Sequence, residues 1–399
     1  MRRQLLIIST LIAFVTFYIS CSKILPGKPK DDEILDGPID GLTSEQNRRF
    51  LRGDVAFNDE VFNQGNGLGP LFVNNSCGSC HAGDGKGHPF TTLTRFGQND
   101  TLGNTFLHNG GPQLQHRSII GFEAEQIPAG ATFSSFTPPA NTGLGFFDAV
   151  SDATILAMAD ENDANGDGIS GRPNWINVPA YSFIRPGSVT RGGKYIGRFG
   201  KKAAVYDLLQ QTVNAYNQDM GINSTYEHIS TYSGQDADPE ISNQTVQDVV
   251  FYLQTLKAPI QRLPNDPEVQ AGQQVFINIS CGKCHTPELK TGNSQIAALS
   301  NKIFTPFTDM LLHDMGSALN DGYTEGTALT AEWRTPALWG LGLSQNSQGG
   351  QLFLMHDGRA KSVEQAIELH GGEAQQSKQS FQQLNNNQKA QLIKFLQSL

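Results

Sequence analysis

The chain has 399 residues, of which 38% are hydrophobic and 17% are charged, and its formal net charge is −9. The acidic balance excludes nucleic acid as a partner, because nucleic-acid binding depends on basic contacts to phosphate. The length allows a sizeable core, while 42 glycines and 19 prolines predict long stretches of loop.

The N-terminus has the pattern of an export signal. Two arginines precede an almost wholly apolar stretch that ends at Cys21 in "YISC". That stretch is short for a membrane span, and we interpret residues 1–20 as a bacterial lipoprotein signal peptide, with cleavage before Cys21 and acylation of its thiol. An uncleaved anchor helix is the alternative. Both interpretations predict an exported protein that is held on the periplasmic or cell-surface side of a membrane. We interpret the polar residues 21–40 as a flexible tether.

Helix signals recur along the rest of the chain. Thr43 and Gln46 in "TSEQNRRFLRG" are spaced as a capping box, which predicts a helix start. A further helix is predicted near residues 203–220. The segments 245–259, "TVQDVVFYLQTLKAP", and 387–399, "NQKAQLIKFLQSL", carry apolar residues at helical spacing and share their ending. We interpret these two as the closing helices of a duplicated unit.

A cysteine motif occurs twice. The segment "LFVNNSCGSCH" contains Cys77, Cys80 and His81. A Phe-x-Asn-x-Ser sequence directly precedes Cys77. The segment "VFINISCGKCH" is a near copy. Its matching residues are Cys281, Cys284 and His285.

Three kinds of site use two cysteines at this spacing. A zinc site needs a second pair of ligands, and a redox dithiol has no need of a histidine. The sequence Cys-x-x-Cys-His is typical of c-type haem, where the sulfurs form thioethers and the imidazole ligates iron. Both copies keep the histidine, and together they use four of the five cysteines. We therefore predict two covalently bound haem c groups, with His81 and His285 as iron ligands.

The order of helix, haem motif and closing helix is that of a cytochrome c domain. We predict a mainly α protein of two fused cytochrome c-type domains, residues 41–257 and 266–399, joined by a linker with three prolines. The first domain is too long for one minimal module. Its excess is rich in Gly, Pro, Asn and Thr, and we predict a long loop-rich insertion after the first haem motif.

A calcium-like sequence lies within this insertion. In "DANGDGISG", Asp163, Asn165 and Asp167 have the spacing of the first positions of a calcium loop, where side-chain oxygens face the ion. Asn174 replaces the glutamate of position twelve, so the segment is not an EF-hand. We predict bound calcium, and the alternative is a metal-free Asp/Asn/Gly turn.

The order of these features resembles that of bacterial di-haem cytochrome c peroxidases and their MauG-type relatives. Residues 198–222, "RFGKKAAVYDLLQQTVNAYNQDMGI", fit the family's stretch between the haem motifs loosely. Residues 334–342, "RTPALWGLG", and 354–367, "LMHDGRAKSVEQAI", fit its C-terminal block. The segments "HTPELKTG", "LLHDMG" and "HDGRA" are more similar to the branch of di-haem oxidoreductases once labelled thiol-oxidoreductase-like. The resemblance covers residues 43–399.

The resemblance implies a peroxide site at the first haem and an electron relay at the second. Asp219 stands at the place of the family's acid–base glutamate, and Gln211 or Gln210 stands at that of its glutamine. Phe199 stands at the place of a bridging tryptophan, and phenylalanine is much harder to oxidise. Three residues are alternatives for that role: Trp175, Trp333 and Trp339.

The resemblance also bears on the sixth iron ligands. The second iron is ligated in the resembled proteins by a methionine or tyrosine, and His370 fills that place here. This predicts a bis-histidine haem with His285. The alternatives are a helix-end role for His370 and ligation by Met315. Hydrogen bonding to haem propionates or to the backbone is predicted for His313 and His356, with iron ligation as the alternative. The candidates for the first haem are His88, His108 and His116.

Together these features predict a di-haem c-type oxidoreductase that reduces peroxide at the first haem with electrons relayed by the second. The alternatives are a non-catalytic di-haem electron-transfer lipoprotein and MauG-type oxidation of a partner protein. The expected partners are a small electron-donor cytochrome or similar redox protein, which the acidic charge would steer, and peroxide or a small oxidisable substrate. The lipid on Cys21 would supply the membrane contact.

Overall fold

Helices are the longest elements of the computed structural model, which describes residues 35, 37–97, 106, 111–235 and 238–399. The signal peptide, Cys21, most of the tether and His108 lie outside the described residues. The described part contains eleven α-helices: α1 Ser44–Asn58, α2 Cys77–Cys80, α3 Leu144–Asp148, α4 Asp152–Met158, α5 Leu208–Asn214, α6 Asn243–Thr255, α7 Pro267–Asn278, α8 Ser344–Ser347, α9 Val363–Leu369, α10 Gln375–Gln383 and α11 Asn386–Ser398.

Single turns of other helix types connect these elements. A π-helical turn, Ala215–Asp219, continues α5. Seven 3₁₀ turns are described: Ala82–Asp84, Pro89–Thr91, Cys281–Lys283, Ala297–Leu299, Ser317–Leu319, Leu341–Leu343 and Gly372–Ala374. No helix in the described ranges is long and apolar enough to cross a bilayer.

The strands are short and form five small antiparallel sheets within the described part of the chain. They are β1 Leu71–Phe72, β2 Leu93–Phe96, β3 Arg117–Ser118, β4 Phe133–Phe136, β5 Trp175–Ile176, β6 Thr190–Arg191, β7 Lys194–Ile196, β8 Leu289–Lys290, β9 Ile303–Phe304, β10 Leu312–Asp314 and β11 Glu332–Arg334. The pairs are β1 with β3, β2 with β4, β8 with β9 and β10 with β11, and the one three-stranded sheet has the order β5-β7-β6. The fold is therefore mixed, and the prediction of a mainly α protein is correct only in part.

Capping residues mark the starts of the long helices, and α1 begins where the sequence predicts. Thr43 and Gln46 form a reciprocal capping box at α1, since each side chain bonds the other's backbone N–H. Asn385 and Gln388 do the same at α11. Asp266 caps α7 by accepting from two backbone N–H groups, and the adjoining proline occupies the first turn.

Two helix pairs cross at glycines. Helix α1 packs on α6, and α7 packs on α11. A Cβ on Gly53 would lie 2.6 Å from the Cβ of Tyr252, and one on Gly272 would lie 2.7 Å from that of Phe395. The missing side chain lets the helix backbones approach closely. Each pair joins the helix before a haem motif to the predicted closing helix.

The contacts place Leu35–Leu399 in one compact unit. One hydrophobic cluster contains α1, α6 and much of the insertion, and it also takes in Leu289, Phe304 and Leu311 from beyond the predicted linker. A second cluster lies between α7, α9 and α11. The core of the first half therefore extends into the second, and the boundary between two cytochrome c-type domains stays a prediction.

Candidate haem sites

A cavity of about 440 Å³ reaches both Cys-x-x-Cys-His motifs. Each motif forms one helical turn, in which the histidine N–H donates to the carbonyl of the first cysteine at 3.0 Å. This turn brings both sulfurs to the cavity side of the backbone. The four cysteines are free thiols, and all of them line the cavity together with both motif histidines. Burial raises the pKa of Cys77 and of Cys281 to about 12.

The two motif histidines have the arrangement of metal ligands. The Nδ1 atom of His81 lies 2.9 Å from the carbonyl of Pro139, and that of His285 lies 3.0 Å from the carbonyl of Phe307. Such a bond fixes the tautomer and leaves Nε2 as the ligand atom. Neither Nε2 atom has a hydrogen-bond partner among the described residues. Burial lowers the pKa of both imidazoles to about 4, so both are neutral at pH 7. These residues fit an iron porphyrin.

His370 lies in the same cavity as His285. It follows the last residue of α9, and its Nδ1 atom lies 2.7 Å from the carbonyl of Ala366. Burial lowers the pKa of His370, and its proximity contributes to lowering the pKa of His285. Met315 also lines the cavity. The structure thus brings together the ligand pair expected for the second haem, and the ligation itself stays a prediction.

The histidines of the two Asp-rich turns are engaged by carboxylates. His313 lies between Asp309 and Glu373, at 2.8 Å and 2.7 Å from their oxygens. Burial opposes its charged form, yet these hydrogen bonds and one to Cys284 raise the pKa of His313 well above its ordinary value. Hydrogen bonding is therefore confirmed for His313, although the partners are carboxylates rather than the backbone or propionates.

His356 forms the second such contact. Its Nε2 atom lies 2.8 Å from the carboxylate of Asp321, and its ring stacks on Trp333 with centroids 3.7 Å apart. The hydrogen bonding predicted for His356 is thus present, but again with a carboxylate rather than with the backbone or a propionate. Two of the candidate sixth ligands of the first haem, His88 and His116, are not among the described residues that line the cavity. His88 packs against Phe90 and Phe353, and His116 is exposed.

Asp219 borders the first haem motif. Its backbone carbonyl accepts from the N–H groups of Val73 and Asn74 at 2.6 and 3.2 Å, which ties the π-helical turn to the segment before Cys77. Its carboxylate lines the cavity and accepts a hydrogen bond from Gln113 Nε2. Burial raises the pKa of Asp219 to about 6, although that bond and a nearby arginine lower it.

The glutamine that contacts Asp219 was missed by the sequence analysis. Gln113 lies between β2 and β3, 106 residues before Asp219, and no local pattern marks it. Arg95 Nη1 donates to the Oε1 atom of Gln113 at 3.3 Å, and its Nε lies 2.6 Å from Glu325. Gln211, the predicted partner, lines the cavity but has no side-chain hydrogen bond within the described part of the chain.

The aromatic residues considered for electron transfer differ in position. Phe199, Trp333 and Trp339 line the cavity. The ammonium of Lys202 lies 3.9 Å from the ring centre of Trp333, which disfavours removal of an electron from that ring. The ring of Trp339 packs against aromatic rings, with Phe147 at 4.9 Å and Phe304 at 5.8 Å.

The calcium-like segment has the geometry of a hydrogen-bonded turn. The side chains of Asp163 and Asn165 each accept from the N–H of Asp167 at 2.9 Å. The carboxylate of Asp167 lies 2.9 Å from the ammonium of Lys283, inside the second haem motif. The metal-free alternative accounts for these bonds, and calcium stays a prediction.

The two motifs, their carbonyl-bonded histidines and the cavity that joins them indicate a di-haem redox protein. The chain belongs to the di-haem oxidoreductase family, because residues 137–399 match the family described as "Di-haem oxidoreductase, putative peroxidase". This confirms the resemblance found in the sequence and implies haem as the cofactor.

Solved structures give more distant similarities. Hydrazine synthase from Kuenenia stuttgartiensis has 13% identity, a TM-score of 0.41 and 94% coverage of both chains. A MauG-like protein associated with microbial copper homeostasis has 16% identity and a TM-score of 0.33, with 63% of this chain and 90% of that one covered. None of the curated proteins compared with the chain matches it.

Proposed function

We propose that the protein is a c-type di-haem peroxidase that reduces peroxide at the haem held by Cys77, Cys80 and His81. Electrons reach it through a second haem held by the matching residues of the second motif. The observation that carries this assignment is the different surroundings of the two motifs. Asp219 faces the cavity beside the first motif, whereas a second neutral histidine, His370, accompanies the other.

Asp219 is suited to moving a proton between the two oxygens of peroxide. Bound haem iron would supply the site where peroxide binds and is reduced. A carboxyl with a pKa of about 6 is ionised at neutral pH but remains basic enough to accept a proton. Gln113 donates to Oδ1 and orients the carboxylate, while Oδ2 has no hydrogen-bond partner in the described ranges and is available for the proton.

The second site is suited to electron transfer. His285 and His370 both present a neutral imidazole with Nδ1 bonded to a carbonyl, so both Nε2 atoms are available for one iron. A bis-histidine iron has no open position for peroxide. We further propose that a small basic cytochrome delivers electrons to an exported protein anchored through acylated Cys21, since the chain carries a net charge of −9.

Replacement of Asp219 by Asn tests the proposal. We expect the peroxide reaction to slow by about 10²- to 10⁴-fold, because a positioned acid–base group contributes this much, while the haem absorption spectrum stays unchanged. Stopped-flow spectroscopy with peroxide gives the rate. The control is Asp59→Asn, which makes the same charge change at an exposed helix end.

Two results would contradict the proposal. One is an unchanged rate in Asp219→Asn. The other is a wild-type protein in which neither haem binds cyanide or peroxide, which would identify a non-catalytic electron carrier.

A further inference from the structure

Four lysine and arginine side chains line the cavity. Lys378 donates to the carbonyl of Glu368 at 3.3 Å, whereas Lys86, Lys201 and Arg334 form a separate cluster. Lys86 follows His81 by five residues. Arg334 lies in β11 beside Lys201, since its backbone N–H donates to the carbonyl of Lys201 at 2.9 Å and its Nε donates to that of Gly200 at 3.0 Å. The cluster therefore belongs to the wall near the first haem motif.

These cations lack a protein counter-charge at hydrogen-bond distance. Neither lysine ammonium has a hydrogen bond or ion pair within the part of the chain that the structure describes. Burial lowers the pKa of Lys86 to about 8 and that of Arg334 to about 10. It lowers the pKa of Lys201 still further below its ordinary value, and the other two cations add to this effect. Asp357 acts on the two lysines in the opposite direction, but from beyond hydrogen-bond distance.

The adjacent Lys202, by contrast, has all the hydrogen bonds of its ammonium group supplied by the protein. Its ammonium donates to the carbonyls of Leu329, Thr330 and Glu332 at 2.9, 3.3 and 2.7 Å. Lys201, one residue earlier, has no such partners and faces the cavity. Lys86, Lys201 and Arg334 are each partly buried, and a partly buried charge without a partner is unfavourable. A cluster of three therefore indicates that an anion occupies this part of the cavity.

We propose that Lys86, Lys201 and Arg334 bind the propionate carboxylates of the first haem. This rests on the proposed attachment of that haem at Cys77 and Cys80. The propionates are the anionic groups of haem c, and they are held near the cluster by the same covalent bonds that hold the porphyrin. The positive charge of Lys201 also acts on the ring of His81, the proposed ligand of this iron.

The cluster then sets the redox potential of the first haem. Positive charge beside the propionates favours the reduced iron, which carries one positive charge fewer than the oxidised iron. Removing one cation therefore favours the oxidised form. We expect Lys201→Met and Lys86→Met each to shift the equilibrium about tenfold toward oxidised haem, which lowers the midpoint potential by about 59 mV for one electron.

A spectroelectrochemical titration of the holoprotein measures the shift. The titration step of the first haem is identified as the one whose midpoint potential changes in His81→Gly. Lys201→Arg keeps the charge and should keep the wild-type potential, which a purely structural role of the lysine would not require. Lys290→Met, at an exposed strand position, controls for the loss of one charge elsewhere. Resonance Raman should show altered propionate bands in Lys201→Met and Lys86→Met only.

The outcomes separate this inference from the proposed function. If mass spectrometry found no covalent haem on the wild-type protein, the proposed function itself would be overturned. With both haems present, potentials in Lys201→Met and Lys86→Met equal to that of Lys290→Met would overturn the inference. So would a wild-type potential that changes with phosphate at constant ionic strength, because the cations would then bind an anion from solution.

Discussion

At the residue scale, Asp219 bonds both the segment before the first haem motif and the side chain of Gln113. Its backbone carbonyl fixes the segment that leads into the first haem motif, and its carboxylate accepts from Gln113. A carboxyl one methylene shorter than the family's glutamate thus reaches the cavity because the backbone itself is bonded to Val73 and Asn74. Gln113 in turn accepts from Arg95 of β2, 18 residues earlier in the chain, so its position depends on that strand.

The pH dependence of the peroxide reaction should identify which glutamine acts on Asp219. The reaction needs the ionised carboxylate, so its rate should rise with pH through about 6. Gln113 lowers the pKa of Asp219, so Gln113→Leu should move the midpoint of this rise to higher pH. The rate profile measured by stopped flow checks this. Gln211→Leu is the matched control, and a shift in that variant alone would contradict the assignment.

The proposed sixth ligand of the second haem, His370, can be tested by two substitutions. We expect His370→Met to raise the potential of this haem, because a thioether ligand favours the reduced iron, and to produce the weak near-infrared band of a sulfur–iron bond. His370→Gly should make the second iron high-spin. Electronic and magnetic circular dichroism spectra distinguish these states. A wild-type low-spin spectrum in both variants would point to Met315 instead.

At the element scale, the helix crossings position the haem motifs. Gly53 and Gly272 occupy equivalent places in α1 and α7, each against an aromatic residue of the closing helix. The duplication visible in the sequence is thus matched by a duplicated packing contact. The second haem motif follows the end of α7 directly, whereas β1 lies between the end of α1 and the first motif.

Alanine at either crossing should destabilise the protein. The added methyl group would meet helix backbone and a neighbouring Cβ, and overpacking of this kind costs about 1–3 kcal/mol. The gain in helix propensity from glycine to alanine, about 1 kcal/mol, offsets only part of this cost. Urea unfolding of Gly53→Ala and Gly272→Ala measures the change. In the control Gly292→Ala the nearest atom lies at 3.6 Å, and its stability should change by less than about 0.5 kcal/mol. Equal stability of all three variants would show that the crossings are not tightly packed.

At the scale of the whole molecule, one cavity serves both haem motifs. We expect the denatured, purified protein to have a mass two haem units above that of the polypeptide after signal removal. The two thioether motifs are the reason, and intact-protein mass spectrometry is the measurement. Cys281→Ser with Cys284→Ser should leave one unit, and a wild-type mass with one unit or none would exclude the proposed architecture.

The sequence predicted the elements that depend on local signals. The capping box at Thr43, the closing helices and the paired cysteine motifs all follow from spacing over a few residues. The contacts between distant loops had no such signal: Gln113 on Asp219 and Lys201 in the cavity depend on how the insertion folds back. The small sheets were missed for a related reason, since strands of two to four residues are too short to show a period.

The pKa of the motif thiols also bears on how the holoprotein would be assembled. In the folded chain Cys77 and Cys281 line the cavity, and their pKa of about 12 leaves almost no thiolate at neutral pH. The proposed thioether bonds would therefore form more readily while the polypeptide is still open. Haem attachment would then precede the final folding of the chain, and free haem added to the folded polypeptide would react slowly.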